Sequence, residues 1–283
     1  MNGLAYQVLH AKEMKKEGRD FKPIFGCEAY FIPSVSEWKE EYDKAMGDKK
    51  RAKSIKKSGQ SGATVEDEGE SKKVQDILRR RRHLVLLAQN QTGLNNLFKL
   101  ISESYKPGNY YRYPRMDYDL LRKYSEGIIA SSACLGGIYA GDYWENKEEG
   151  SEAVLDAMRE TTRQMISIFG DRWYGELQWN SVSEQHILNQ YIIQIAEEFD
   201  VGLISTADSH YPNPDAWKDR ELYKRLGWLG KSKPSWGGSE LPAGIEELEY
   251  ELYPKNGDQM WESYKNYTAD YDYDDQLVLD SIE

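Results

Sequence analysis

Short apolar runs alternate with amphipathic stretches along most of this chain, and that alternation constrains the fold more than any other feature. The runs are Lys22-Pro-Ile-Phe-Gly-Cys-Glu-Ala-Tyr-Phe31, His83-Leu-Val-Leu-Leu-Ala88, Gly127-Ile-Ile-Ala-Ser-Ser-Ala-Cys134, Trp173-Tyr-Gly-Glu-Leu-Gln178 and Leu203-Ile-Ser-Thr-Ala-Asp-Ser-His-Tyr211. Each is bounded by turn formers and rich in aliphatic or aromatic residues, the mark of a buried strand. Helical periodicity is predicted between them, over residues 92–104, 152–169, 183–199 and 215–227. In the first of these, Leu94, Leu97, Phe98 and Ile101 are read as the inward stripe. A helix from Met1 to Gly18 precedes the strands, with Leu4, Val8, Leu9 and Ala11 as its apolar stripe and Gly18 as its C-cap. Two short helices, 255–267 and 274–283, close the chain. Strand–helix alternation predicts an α/β fold with parallel strands, as a barrel or an open sheet.

Residues 34–82 break the pattern. They are rich in Lys, Glu, Ser and Gly, and Ser58-Gly-Gln-Ser-Gly-Ala63 reads as a flexible linker. The segment is predicted to be a charged, partly disordered surface insertion, helical only around Trp38–Met46 and Val74–Arg80. Arg79-Arg-Arg-Arg82 reads more readily as a solvated charge run than as a phosphate contact. The net charge of −11 argues against a surface that coats nucleic acid, but leaves room for a local basic groove or a cation site. Two cysteines far apart, Cys27 and Cys134, suit a reducing compartment. With no signal peptide or long apolar run, a soluble cytoplasmic protein without membrane contact is expected.

Residues of metal-binding type recur on the predicted strands: Glu28, His83, Cys134, and Asp208 with His210, while Glu176 adds a further carboxylate. Alternate residues of a strand share a face, so Asp208 and His210 could reach one ion or one phosphate. Glu28 and Glu176 lie among apolar neighbours, where a carboxylate is costly unless paired or metal-bound. Together such residues suit Zn²⁺, or with more oxygen ligands Mn²⁺ or Mg²⁺. Each also has an ordinary reading. Glu28 or Glu176 pairs with a buried Arg, His83 is a satisfied core histidine, and Cys134 is a small buried hydrophobe. Asp208 caps the next helix, and His210 bonds a backbone carbonyl. His10 and His186 are assigned structural roles. No dinucleotide fingerprint, P-loop or G-x-S-x-G motif is present.

Several segments, in order, resemble a known family. They are Lys22-Pro-Ile-Phe-Gly-Cys-Glu28, His83-Leu-Val-Leu-Leu-Ala88 with Gly93-Leu-Asn-Asn-Leu97, Tyr124-Ser-Glu-Gly-Ile-Ile-Ala-Ser-Ser-Ala-Cys-Leu-Gly-Gly137 and Thr206-Ala-Asp-Ser-His-Tyr211. They look like the PHP (polymerase and histidinol phosphatase) domain of bacterial replicative DNA polymerase III alpha subunits. The resemblance implies a distorted seven-stranded β/α barrel whose cleft holds divalent ions (Zn²⁺, Mn²⁺ or Mg²⁺) for 3′–5′ exonuclease or phosphoesterase chemistry. It implies Glu28, His83, Cys134, Asp208 and His210 as metal ligands, with no catalytic residue beyond them, and Arg115 as a phosphate-binding arginine near the cleft.

The family opens with a His-x-His strand and a second strand ending in Asp-His-Gly, and neither is found here. The expectation is therefore an incomplete PHP-type (β/α)7 barrel lacking its first two strands: a fragment of bacterial or phage origin, inactive alone. Its partners would be DNA through the complete polymerase, the missing N-terminal and polymerase segments, and other replisome subunits. The expected divisions are 1–33 as the start of the barrel, 34–82 as the insertion, 83–227 as the rest of the barrel, and 228–283 as a connector toward the polymerase palm. A non-catalytic structural module and a stand-alone PHP phosphatase are the alternatives.

Overall fold

The computed structural model describes residues 3–57, 63–220, 222–223 and 251–283. The expected Ser-Gly linker, the end of the helix predicted to Gly227 and the first part of the expected connector fall outside them. The chain divides into two compact units, Met1–Glu145 with Asp156–Trp173, and Asn146–Leu155 with Tyr174–Glu283. Among the described residues no helix is long and apolar enough to cross a membrane.

The first unit is mixed α/β. Helix α1 (Leu4–Lys16) precedes strand β1 (Gly26–Phe31). Gly18 ends the helix as expected, at φ 74°, with Gly18 N–H on the Lys15 carbonyl and Arg19 N–H on that of Met14. The predicted apolar stripe of α1 is not buried. Only Ala11 is, and Leu9 is 58% exposed. Two helices follow β1, α2 (Val35–Lys57) and α3 (Ala63–Arg79), before β2 (Arg82–Ala88). Then come α4 (Gln91–Ser104), the two-residue strands β3 (Tyr110–Tyr111) and β4 (Tyr113–Pro114), α5 (Tyr118–Tyr124) and β5 (Ile128–Ser131).

Strand β2 pairs antiparallel with both β1 and β5, which overturns the parallel sheet expected here. The reason lies in the number of helices between strands. One crossover helix returns the chain to the starting end of a strand and makes the next one parallel. Two helices carry it back again, so the next strand runs the other way. The pair α2 and α3 does this between β1 and β2, and α4 with α5 does it between β2 and β5.

An antiparallel sheet can bury one face and leave the other half open. Ala29, Phe31, Leu84 and Leu86 point to the buried face. Glu28, Tyr30 and His83 point to the other, because Tyr30 lies opposite His83 in the register and Glu28 is two residues from Tyr30. Helix α4 packs on the sheet through Gly93, Asn96, Leu97 and Leu100, a stripe rotated from the predicted one, so Phe98 is 40% exposed.

The segment expected to be largely irregular forms two substantial helices, of 23 and 17 residues. The predicted helical patches are their apolar ends. There Ile32, Val35, Trp38, Ala45, Val74 and Ile77 form a small core, and the Trp38 indole donates to the Ile77 carbonyl at 2.8 Å. The arginine run is solvated at Arg79 and Arg80, as expected, but three of its four side chains are also wired in. Arg80 is bidentate to Glu41 at 2.6 and 3.0 Å, Arg82 holds Asp142 at 2.7 Å and Glu145 at 2.8 Å, and the Arg81 guanidinium lies 4.1 Å above the Tyr113 ring.

Helix α6 (Ile138–Asn146) follows β5, then α7 (Ser151–Phe169) and strand β6 (Trp173–Gln178). In the second unit α8 (Ser183–Phe199) connects β6 to β7 (Gly202–Thr206). One helix separates them, and they pair in parallel as expected. Helices α9 (Gly257–Tyr267) and α10 (Asp275–Ile282) complete the unit, α9 opening on a capping box of Asn256 and Gln259.

His186 lies in the first turn of α8, 2% exposed, among the rings of Trp179, Tyr271 and Tyr273. Its Nε2 donates to the Asn180 carbonyl at 2.8 Å, and its buried Nδ1 accepts no hydrogen bond among the described residues. Burial lowers its pKa below the ordinary 6.5, opposed by the Asn180 bond. A neutral imidazole is thus favoured in the folded state, and the stability it supports is present above about pH 6.5 and lost as pH falls toward the folded pKa. Urea titrations from pH 7.5 to 5 should show stability falling with a slope approaching 1.4 kcal/mol per pH unit from this residue. His186→Phe should flatten that slope, and an unchanged pH profile in the variant would exclude the residue as its source.

Candidate metal-ligand site

The open face of the antiparallel sheet gathers three of the predicted ligands. His83, second residue of β2, has its Nδ1 3.4 Å from Glu28 Oε1 and 3.5 Å from Cys134 Sγ. The loop after β5 delivers the cysteine. Ala133 is left-handed at φ 61°, Gly137 N–H bonds the Cys134 carbonyl at 2.7 Å, and Gly136 N–H reaches Sγ at 3.4 Å. His83 N–H in turn bonds the Gly136 carbonyl at 2.7 Å. A Cβ on Gly136 would sit 3.2 Å from the imidazole, and one on Gly137 only 2.1 Å from the Ser132 carbonyl oxygen. The Ser-Ala-Cys-Leu-Gly-Gly sequence is therefore what lets the loop close around His83.

Two features of this face differ from expectation or were not foreseen. Glu28 is not embedded: its side chain is 46% exposed beside His83, because it lies on the open face. Tyr30 stacks on His83 at 5.7 Å and 28°, fixing the ring from the side. Strand period alone would have put Tyr30 on the face of Glu28. Cys27, on the opposite face, is a half-buried thiol whose pKa is pushed up to about 11 by desolvation.

The second pair is arranged differently. Strand β7 ends at Thr206, and Asp208 is left-handed at φ 44°, so Asp208 and His210 are not alternate residues of an extended strand. His210 Nδ1 is 2.6 Å from the carbonyl oxygen of Asp208 and 3.9 Å from its Oδ2. The backbone-carbonyl alternative for His210 is thus the arrangement found. The turn is held by His210 N–H on the Leu252 carbonyl at 2.8 Å and by the Tyr211 hydroxyl, which accepts from Leu252 N–H at 2.8 Å. The cap of the following helical turn is Asn213, not Asp208.

Glu176 is buried, accepting from the Thr206 hydroxyl and from Gln178 Nε2 at 3.2 Å. Arg115 is fully buried instead of lining a cleft. Its guanidinium donates to the carbonyls of Tyr111, Tyr113 and Leu78 and lies 4.0 Å over the Trp38 ring. Desolvation first, and then the charge of Arg81, lower its pKa to about 10. An anion has no route to it.

Glu28 and Cys134 each approach His83 at a separation of the size set by metal–ligand bonds of about 2.0–2.3 Å around one ion. Among the described residues, however, no three or more His, Cys, Asp or Glu side chains form a group arranged to hold one. The donor types fit a divalent ion, and the set within the described residues is not a closed one.

Known proteins match this chain closely. A PHP domain family model matches residues 4–180. DNA polymerase III subunit alpha of Aquifex aeolicus is 37% identical over 273 residues, covering 96% of this chain and 20% of that protein. The same subunit of Borreliella burgdorferi is 36% identical over 255 residues, 90% of this chain and 18% of that protein. The chain thus spans about a fifth of the length of these relatives. With the family model covering most of the chain and this identity along nearly all of it, the chain belongs to the PHP domain family, alongside the alpha subunits of DNA polymerase III.

Proposed function

We propose that the chain serves as the PHP portion of a replicative DNA polymerase of the alpha-subunit type, with residues 34–82 as an insertion in a distorted β/α barrel. A protein of this kind works on DNA in the cytoplasm of a bacterial cell or a phage host. The observation that carries the reading is the approach of Glu28 and Cys134 to one nitrogen of His83. In this proposal these three residues are ligands for divalent ions, and Asp208 and His210 are ligands as well. Such ions, when bound, supply water activation and charge neutralisation at a phosphodiester. The chain's own contribution is positional. Tyr30 stacks on the His83 ring, the Gly136 carbonyl holds the His83 backbone N–H, and the half-exposed Glu28 keeps a carboxylate available on the open face.

Because the described donor set is not closed, the chain alone should take up Zn²⁺ weakly and should not digest a 3′-mismatched primer with Zn²⁺ or Mn²⁺. Equilibrium dialysis should show His83→Ala reducing Zn²⁺ affinity by about 10-fold or more. Equal uptake by wild type and variant would remove His83 as a ligand and favour a structural module without chemistry. Robust primer digestion by the chain would show that its own residues suffice.

A further inference from the structure

The β3–β4 hairpin presents aromatic rings and cations to solvent in a chain of net charge −11. Tyr105 and Tyr110 are 60% and 44% exposed, and their rings stack at 5.4 Å with 17° between planes. Two large rings held against each other in water leave an outer π-face on each. The turn between them is tightly tied. Asn109 and Tyr110 N–H groups both bond the Lys106 carbonyl, at 3.0 and 3.1 Å, and Asn109 Nδ2 bonds the Glu103 carbonyl at 3.0 Å. At the hairpin tip Arg112 is exposed and left-handed at φ 64°, a conformation a non-glycine residue holds only where its surroundings enforce it.

The enforcement comes from below, where buried Arg115 binds the carbonyls on either side of Arg112, those of Tyr111 and Tyr113. The rings and the Arg112 cation are thus carried on a backbone that is already fixed. Further cations lie close by. Lys106 follows Tyr105 and pairs with Glu103 at 2.7 Å, and its charge is within electrostatic reach of Tyr124. Lys99 and Lys123 lie 5.7 and 5.2 Å from the centre of the Tyr124 ring. Glu103 therefore answers Lys106 alone of these three lysines, while Lys99 and Lys123 sit by Tyr124.

We propose that this hairpin is a docking surface for single-stranded DNA, with bases stacked on Tyr105 and Tyr110 and backbone phosphates held by Arg112, Lys106 and Lys99. Exposed rings interleaved with cations match the needs of an unpaired strand, which offers base faces and phosphates together. A duplex offers phosphates, but its base faces are hidden in the stack. The proposal rests on the replicative reading only for the choice of DNA as the probe, and it requires no metal.

The test is fluorescence anisotropy of a labelled oligothymidylate with the full chain at low salt, beside a duplex of equal length. The single strand should bind more tightly than the duplex. Tyr105→Ala combined with Tyr110→Ala should weaken single-strand binding by about 10-fold or more, while the paired Phe substitutions retain it. Arg112→Gln should lower the slope of log affinity against log salt by about 0.7, the share of one phosphate contact. Circular dichroism should show the exposed-tyrosine variants folded. The proposal is overturned if wild type binds no oligonucleotide, if single strand and duplex bind equally, or if the double alanine variant binds like wild type. No hydrolysis or metal enters the readout, so such a failure would leave the proposed function standing.

Discussion

Replacing Arg115 by alanine should destabilise the chain by about 3–5 kcal/mol. The guanidinium is fully buried and is shared among three backbone carbonyls and the Trp38 ring. Removing it takes a donor from three part-buried acceptors, each costing up to about 1–3 kcal/mol before relaxation, and opens a cavity beside Trp38. The charge itself is a burden in this position, which is why desolvation lowers its pKa. Arg115→Met should therefore cost less than Arg115→Ala, because it fills the space and removes the buried charge while still orphaning the carbonyls. Chemical denaturation of the two variants decides the point. Equal losses would mean that the charge burden is negligible, and no loss in either would mean that the hairpin stands without the arginine.

Gly93→Ala should destabilise the chain by about 3 kcal/mol or more, the upper range for overpacking. A Cβ at this position would lie 1.8 Å from the Gly127 carbonyl oxygen, deep inside contact distance, and both partners are backbone. Gly127 is itself left-handed at φ 70° and passes against Asn90, whose side chain accepts from Gly93 N–H at 3.0 Å. Helix α4 could escape the clash only by moving away from the sheet it covers, exposing Leu97 and Leu100. Thermal melting monitored by tryptophan fluorescence should show the loss. Gly3→Ala, where a Cβ meets nothing within 4 Å, is the control and should melt like wild type.

The elements themselves were legible in the sequence, and their directions were not. Every predicted strand has a counterpart, and the Gly18 terminus, the 183–199 helix and the 255–267 helix fall where periodicity and capping residues put them. Strand direction in the first unit depends on counting the helices between strands. In α2 and α3 charged residues outnumber apolar ones and small alanines, Ala45 and Ala52, do much of the burying, so only their apolar ends are legible as helix. The burial expected of Glu28 followed from the same error, since a parallel sheet hides both faces and an antiparallel one does not.

At the site, Glu28, His83 and Cys134 were each named from the sequence, and their approach to one another depends on a β1–β2 register that composition does not reveal. The Asp208 and His210 geometry was missed because the strand stops at Thr206 and the backbone turns left-handed two residues later. No residue type at that point demands such a turn. Arg115 was misread because the family resemblance implies an arginine near the cleft, whereas here the loop's own carbonyls take its donors.

The paired helices after β1 have a consequence for how chains of this kind can vary in length. Phe31 and Arg82 face each other across the antiparallel ladder, so the two ends of the helical excursion are neighbours. Replacing the whole excursion with a tight turn would leave the direction of every strand unchanged, whereas reversing β2 would abolish the register that sets His83 opposite Tyr30. A segment here that ends where it began is thus a unit that can be gained or lost together without disturbing the ladder. The cost of losing this one falls on the neighbouring hairpin, whose buried arginine takes a carbonyl from Leu78 and its aromatic lid from Trp38.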